Sequence, residues 1–119
     1  MLKAIVPVLA LALAAAMAMP AHATENAKQL INSNGCRTCH QDKTKLVGPA
    51  FGWVAYHFKG KKDAVETVAD FIINGGTGYW VPWTGNIPMP SHPNLSKAQA
   101  KTIAKYILNL PPVKPPPKN

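Results

Sequence analysis

Cys36-Arg37-Thr38-Cys39-His40 is the stretch on which the reading of this chain turns. Two thiols stand at i and i+3, and an imidazole follows at once. If Cys36 opens a helical turn, Cys39 lies on the same face, about 5–6 Å away. A disulfide between such close neighbours would enclose almost no chain and constrain the unfolded state little. A structural zinc site would need two further ligands at comparable spacing. Past residue 23 only His57 and His92 remain, and neither sits in a second paired motif. A thioredoxin-like redox pair needs a βαβ setting, and no alternating apolar run of useful length suggests strands. An incidental pair of buried cysteines is the blandest alternative. The pentapeptide suits c-type haem attachment best: each thiol can add across one vinyl group along a single haem edge, and His40 can swing beneath the ring to the iron.

The N-terminal segment places the motif in an export context. Met1-Leu2-Lys3 is a short basic start, Ala4 to Met19 is apolar except for Pro7, and Ala21-His22-Ala23 has the small-x-small form of a cleavage site. This order describes a signal peptide over residues 1–23. The apolar run is shorter than the roughly 20 residues of a spanning helix and mostly alanine, so stable membrane insertion is not expected. The formal charge is +8, and loss of Lys3 with the leader lowers it to +7. The lysines are spread from Lys28 to Lys118 without an arginine-rich block or interleaved aromatics, so nucleic acid is not the expected partner. An acidic protein partner or an anionic membrane surface fits this charge better.

Three helices are expected. The first spans about Glu25 to Ser33, with Thr24 as N-cap, Ala27, Leu30 and Ile31 on one face, and Asn34-Gly35 as its stop. The second spans about Asp63 to Ile73, with Val65, Val68, Ala69 and Ile72 at helical spacing and Gly75-Gly76 after it. The third begins at a capping box, Ser96-Lys97-Ala98-Gln99, carries Ile103, Ile107 and Leu110 as a stripe, and ends at Pro111-Pro112. Between the second and third lies Gly75–Leu95, a proline- and glycine-rich stretch containing Trp80 and Trp83. Loops of that length inside a small domain are usually functional. The domain is expected over residues 24–110, followed by a tail over 111–119 whose five prolines predict an extended, solvated appendage.

A haem with one protein ligand could bind substrate on its open side, so the sixth ligand decides between carrier and enzyme. Met89 is the only methionine past residue 23, in Ile87-Pro88-Met89-Pro90. A gap-filling methionine normally sits on a helix or strand face, which a residue between two prolines fits poorly. Ligation is the preferred reading, since Met/His pairing is the usual arrangement on c-type haem.

From Cys36 to Leu110 the chain resembles the small soluble bacterial class I cytochromes c, of the cytochrome c-551 type. The resemblance rests on the haem motif, Val47-Gly48-Pro49-Ala50, the Asn74-Gly75 helix stop, Tyr79-Trp80 and Ile87-Pro88-Met89-Pro90. It implies an all-α class I fold, with three main helices and long loops around one covalent haem c. It implies His40 and Met89 as iron ligands, Cys36 and Cys39 as attachment points, and the Pro49 carbonyl as acceptor for the other imidazole N–H. Trp80 matches the tryptophan whose indole reaches a haem propionate, with Trp83 as a substitute. Two departures stand out: Val81–Asn86 makes the loop about four residues longer, and Phe71 stands where the family places a propionate-binding arginine. The first and third helices are expected to pack through Leu30, Ile103 and Ile107, the second closing one side of the haem crevice.

The function implied is electron transfer by a periplasmic, monomeric carrier rather than an enzyme. Lys43, Lys45, Lys59, Lys61 and Lys62 are candidates for steering it to acidic redox partners. A haem subunit of a multi-subunit oxidoreductase, docked through the tail or the Trp83 loop, is the alternative. A ligand-binding or peroxidatic haem is a third reading.

Overall fold

The computed structural model describes residues 19–118, so most of the expected leader lies outside the described residues. Among the described residues five helices follow in order: α1 Ala21–Ser33, α2 Phe51–Phe58, α3 Ala64–Asn74, α4 Val81–Thr84 and α5 Lys97–Leu108. A short 3-10 turn, Cys36–Thr38, lies between α1 and α2. No strand occurs among the described residues; two isolated bridges pair His40 with Lys45 and Gly76 with Met89.

Helix α5 is the hub, packing against α1, α2 and α3. Its contact with α1 is close because Ala27, Ala100 and Ala104 have no accessible surface, while Ile31 and Ile103 fill the space between the axes. Leu30 packs against this cluster only partly buried. Val68, Ala69 and Ile72 of α3 complete the core with Phe51, Val54 and Leu95. Lys97 of α5 also pairs with Glu66 and Asp70 of α3, and Lys101 with Glu66. All four side chains are exposed enough that these pairs add little stability.

The capping box forms as expected, the Gln99 amide donating to Ser96 Oγ and the Ser96 amide to Gln99 Oε1. The helix it starts ends at Leu108, so Leu110 falls beyond it. Leu110 still packs on the core. The α1 boundary differs more. Its first turn is Ala21–Thr24, and Thr24 does not cap the helix; its amide and hydroxyl both donate to the Pro20 carbonyl.

Helix α2 was not expected. Its sequence, Phe51 to Phe58, is rich in aromatic residues and contains Gly52 and Val54, all weak helix formers, and it is apolar nearly all round. What makes it helical lies outside it: the Phe51 and Gly52 amides, orphans of its first turn, donate at 2.8 Å to the carbonyls of Gln41 and Asp42. Helix α4 interrupts the long loop for one turn. Its signal is the ordinary asymmetry of a proline, Pro82, in the first turn and Gly85 just past the end.

The tail corrects another expectation. It is extended and mostly exposed, as expected, but it is docked rather than free. The Val113 amide donates to Gly52 O at 2.9 Å, and Pro116 O accepts from the Trp83 indole at 2.7 Å.

Candidate functional site

The segment Cys36–His40 winds as one helical turn. The amides of Cys39 and His40 both donate to Cys36 O, at 3.2 and 3.0 Å. That curvature puts both sulfurs on one side, bordering a cavity of about 460 Å³, within the ~300–1,000 Å³ range of ligand sites. Both cysteines are free thiols. Burial pushes the Cys36 thiol above its ordinary range, opposed by its backbone hydrogen bond and by Arg37.

His40 is held in one orientation. Its Nδ1 lies 2.7 Å from Pro49 O; a carbonyl only accepts, so the proton is on Nδ1 and Nε2 keeps its lone pair. The ring stacks on Phe51 at 4.9 Å with an interplanar angle of 18°. Arg37 lies over that phenyl ring and pairs with Asp42 at 2.6 Å. Gly48 closes the cradle: a β-carbon there would sit 2.6 Å from His40 Cε1, so no side chain fits beside the imidazole. Burial holds the His40 pKa below its usual value, the bond to Pro49 opposing and Arg37 assisting. The imidazole is therefore neutral at neutral pH, the form that binds metal.

Met89 lines the same cavity, and its backbone is pinned. Met89 and Gly76 exchange two hydrogen bonds, each 2.9 Å. Just beyond, the His92 amide donates to Ile73 O and its Nδ1 faces Ile72 O at 3.1 Å. The loop is thus sewn to the C-terminal end of α3 at Met89 itself and again three residues beyond it. His92 is spent on this seam and does not border the cavity. His57 does border it, at a rim where its ring stacks on Tyr79 at 3.9 Å and its Nε2 lies 3.1 Å from Lys61 Nζ.

The cavity floor is apolar, formed by Val54, Val68, Ile72, Ile103 and Ile107, and Phe71 borders it from α3. The two tryptophans separate here. Trp80 lines the cavity, whereas Trp83 points its indole N–H at Pro116 O. Trp83 therefore does not substitute for Trp80. The structure also assembles what the sequence did not suggest: Trp53, His57, Tyr79, Trp80 and Trp83 form one aromatic cluster with successive ring centroids 3.9–6.5 Å apart. Lys43, Lys45, Lys59, Lys61 and Lys62 are all exposed.

An apolar cavity bordered by two thiols on one turn, a neutral imidazole with a free nitrogen and a thioether suits a tethered haem. Among the described residues no cluster of three or more His, Cys, Asp or Glu side chains could hold a metal ion, so the zinc alternative finds no ligand set there. No helix among them is long and apolar enough to cross a membrane.

The family model for cytochrome c matches residues 24–111. Cytochrome c-552 of Hydrogenobacter thermophilus is 43% identical over 83 residues, covering 70% of this chain and 80% of that one. Cytochrome c-551 of Stutzerimonas stutzeri is 38% identical over 110 residues, 92% of this chain and 99% of that one. The crystal structure of Nitrosomonas europaea cytochrome c552 superposes with a TM-score of 0.63 at 42% identity, covering 70% of this chain and 98% of that one. With matches of that extent on a helical fold built around such a slot, the chain belongs to the cytochrome c family as a small class I member, and its cofactor is one covalently bound haem c.

Proposed function

We propose that this electron-transfer protein is a periplasmic single-haem carrier, exported by a cleaved signal peptide, with Cys36 and Cys39 as the attachment residues and His40 and Met89 as the axial ligands. The observation that carries the proposal is Met89: the sole methionine past residue 23 borders the same slot as the cysteine–histidine turn, on a backbone locked to Gly76. Haem, when bound, supplies a one-electron ferric/ferrous couple. The protein's share is positional. Pro49 O and Gly48 fix the imidazole plane and leave Nε2 free, and a hydrogen bond of this kind raises ligand basicity. The Gly76 and His92 contacts fix the backbone that carries the thioether, so His40 and Met89 would serve as ligands in both oxidation states with little reorganisation. Apolar walls exclude water, and a thioether in a dry crevice raises the potential. If His40 and Met89 both hold the iron, no site would remain there for a substrate. Hence the protein relays electrons and is not itself an enzyme.

Its partners on this reading are larger redox proteins with acidic faces, met through lysines such as Lys59, Lys61 and Lys62, and the protein works as a monomer. Removing Met89 tests the ligand set. Met89→Ala should lose the weak red-edge absorption of sulfur-bound ferric haem and gain carbon monoxide binding in the ferrous form. An unchanged spectrum would overturn the assignment. A native mass of the periplasmic species that exceeds one chain would instead favour the multi-subunit alternative. Both docking elements imagined for it, the tail and the Trp83 loop, are engaged with each other here.

A further inference from the structure

Two parts of this chain depart from the family resemblance: the lengthened loop around Trp83, which lies within the matched segment, and residues 112–119, which lie beyond it. In the structure they meet. Helix α4 is a single turn with no buried residue and a positive-φ glycine, Gly85, at its end. A helix that short does not hold itself, and none of its side chains is buried.

Part of what holds it comes from the tail. The Trp83 indole donates to Pro116 O at 2.7 Å across 33 residues of sequence, and Lys118 Nζ sits over both the Tyr79 and Trp83 rings, at 5.4 and 5.5 Å. The tail in turn is fastened to α2 by the Val113 amide on Gly52 O. Gly52 is what permits the approach, since a β-carbon there would lie 2.7 Å from Val113 Cγ2. Pro115, Pro116 and Pro117 suit a strap: they fix the backbone in extended form, carry no donors of their own, and leave carbonyls free to accept. The Trp83 ring then leans on Trp80 at 5.7 Å, and Trp53, buried on α2, backs both at 6.4 and 6.5 Å. Trp80 immediately precedes α4, at its N-cap position.

We propose that the C-terminal tail is a clasp, closed by Trp83 on Pro116, that positions Trp80 at the rim of the haem slot and thereby helps set the reduction potential. The inference rests on reading Trp80 as the tryptophan that meets the haem propionates. Trp83 and Pro116 are positioning residues; they act through Trp80 and touch nothing in the slot. The sign of the effect follows. A released Trp80 admits water and withdraws an N–H from the anionic edge, and both changes favour the ferric form. Opening the clasp therefore lowers the potential.

The test uses the full haem-loaded protein, a version ending at Pro112, Trp83→Phe, and the two combined. Midpoint potential is read by redox titration, and exchange of the Trp80 indole N–H by NMR. We expect a downward shift of potential and faster Trp80 exchange in the truncated protein. Trp83→Phe, which keeps a ring and deletes the donor, should shift both the same way by less. The combination should match the truncation alone, because both changes open one contact. Should the truncated chain fail to fold, Trp83→Phe alone decides. Unchanged potential and unchanged Trp80 exchange would overturn the clasp, as would a truncation effect that Trp83→Phe does not share. Failure of Met89 ligation shows separately, as absence of the red-edge sulfur band in the unmodified protein.

Discussion

The Cys36–His40 turn and the Met89 loop border one slot, yet they are built in opposite ways. The turn is local: its thiols, its imidazole and the hydrogen bonds that curl it lie within five consecutive residues. The loop is not. Met89 is held by Gly76, its flank by the carbonyls of Ile72 and Ile73, and the neighbouring α4 by a tail more than thirty residues away. Information written in adjacent residues can be read as a motif. Information written as a seam between distant segments is visible only once the chain has folded. The site thus joins a pre-organised half to a half assembled by tertiary structure, and the two should fail differently.

The sharpest separation comes from the local half. Cys36→Ala with Cys39→Ala should abolish covalent attachment entirely, because no other thiol exists in the chain. The expected outcome is a polypeptide whose mass lacks haem after denaturation. Retained haem would break the motif reading, whatever the loop does.

A change at the shared base should weaken both halves. Ile103 is 1% exposed, packs against α1 and α3, and lies under the slot. Ile103→Ala should cost about 2–5 kcal/mol of unfolding free energy, measured by denaturant titration. At the other extreme, Gly75→Ala should strike the loop half alone. Gly75 has φ 65°, and a β-carbon there would lie 2.7 Å from Ser91 N and crowd the Met89 carbonyl. Forcing such backbone costs on the order of 1–3 kcal/mol, and the sulfur-bound ferric spectrum should weaken while covalent attachment stays complete. Loss of attachment in Gly75→Ala would erase the distinction between the halves.

The same division explains what the sequence could disclose. The ends of α3 and the start of α5 carry their own punctuation, Gly75 and the Ser96–Gln99 box, and were legible. Helix α2 was not, because its residues are poor helix formers and its first amides are satisfied by Gln41 and Asp42. Pro49 was legible only through family likeness; Gly48-Pro49 by itself reads as a turn. The docked tail contradicted a composition rule that is sound for prolines in isolation. Nothing near residues 111–119 announces that Gly52 leaves space for Val113 or that Trp83 awaits a carbonyl.

The smallest effect is a pH dependence at the rim, where the two halves meet. His57 of α2 stacks on Tyr79 of the loop, and burial first, then the Lys61 ammonium, lowers its pKa. A histidine whose folded pKa is depressed binds fewer protons folded than unfolded. Its contribution to stability is therefore complete above the unfolded value of about 6.5 and is lost as pH falls below it. His57→Gln keeps a polar side chain of similar reach but cannot titrate. The midpoint of denaturant unfolding should decline less steeply between neutral pH and about pH 5 in this variant, while the neutral-pH spectrum stays unchanged. Lys61→Ala should act in the same direction and more weakly, since burial outranks the ammonium as the cause. A steeper acid decline in His57→Gln would mean that the histidine gains a proton on folding, and that the slot's rim is more anionic than its lysines imply.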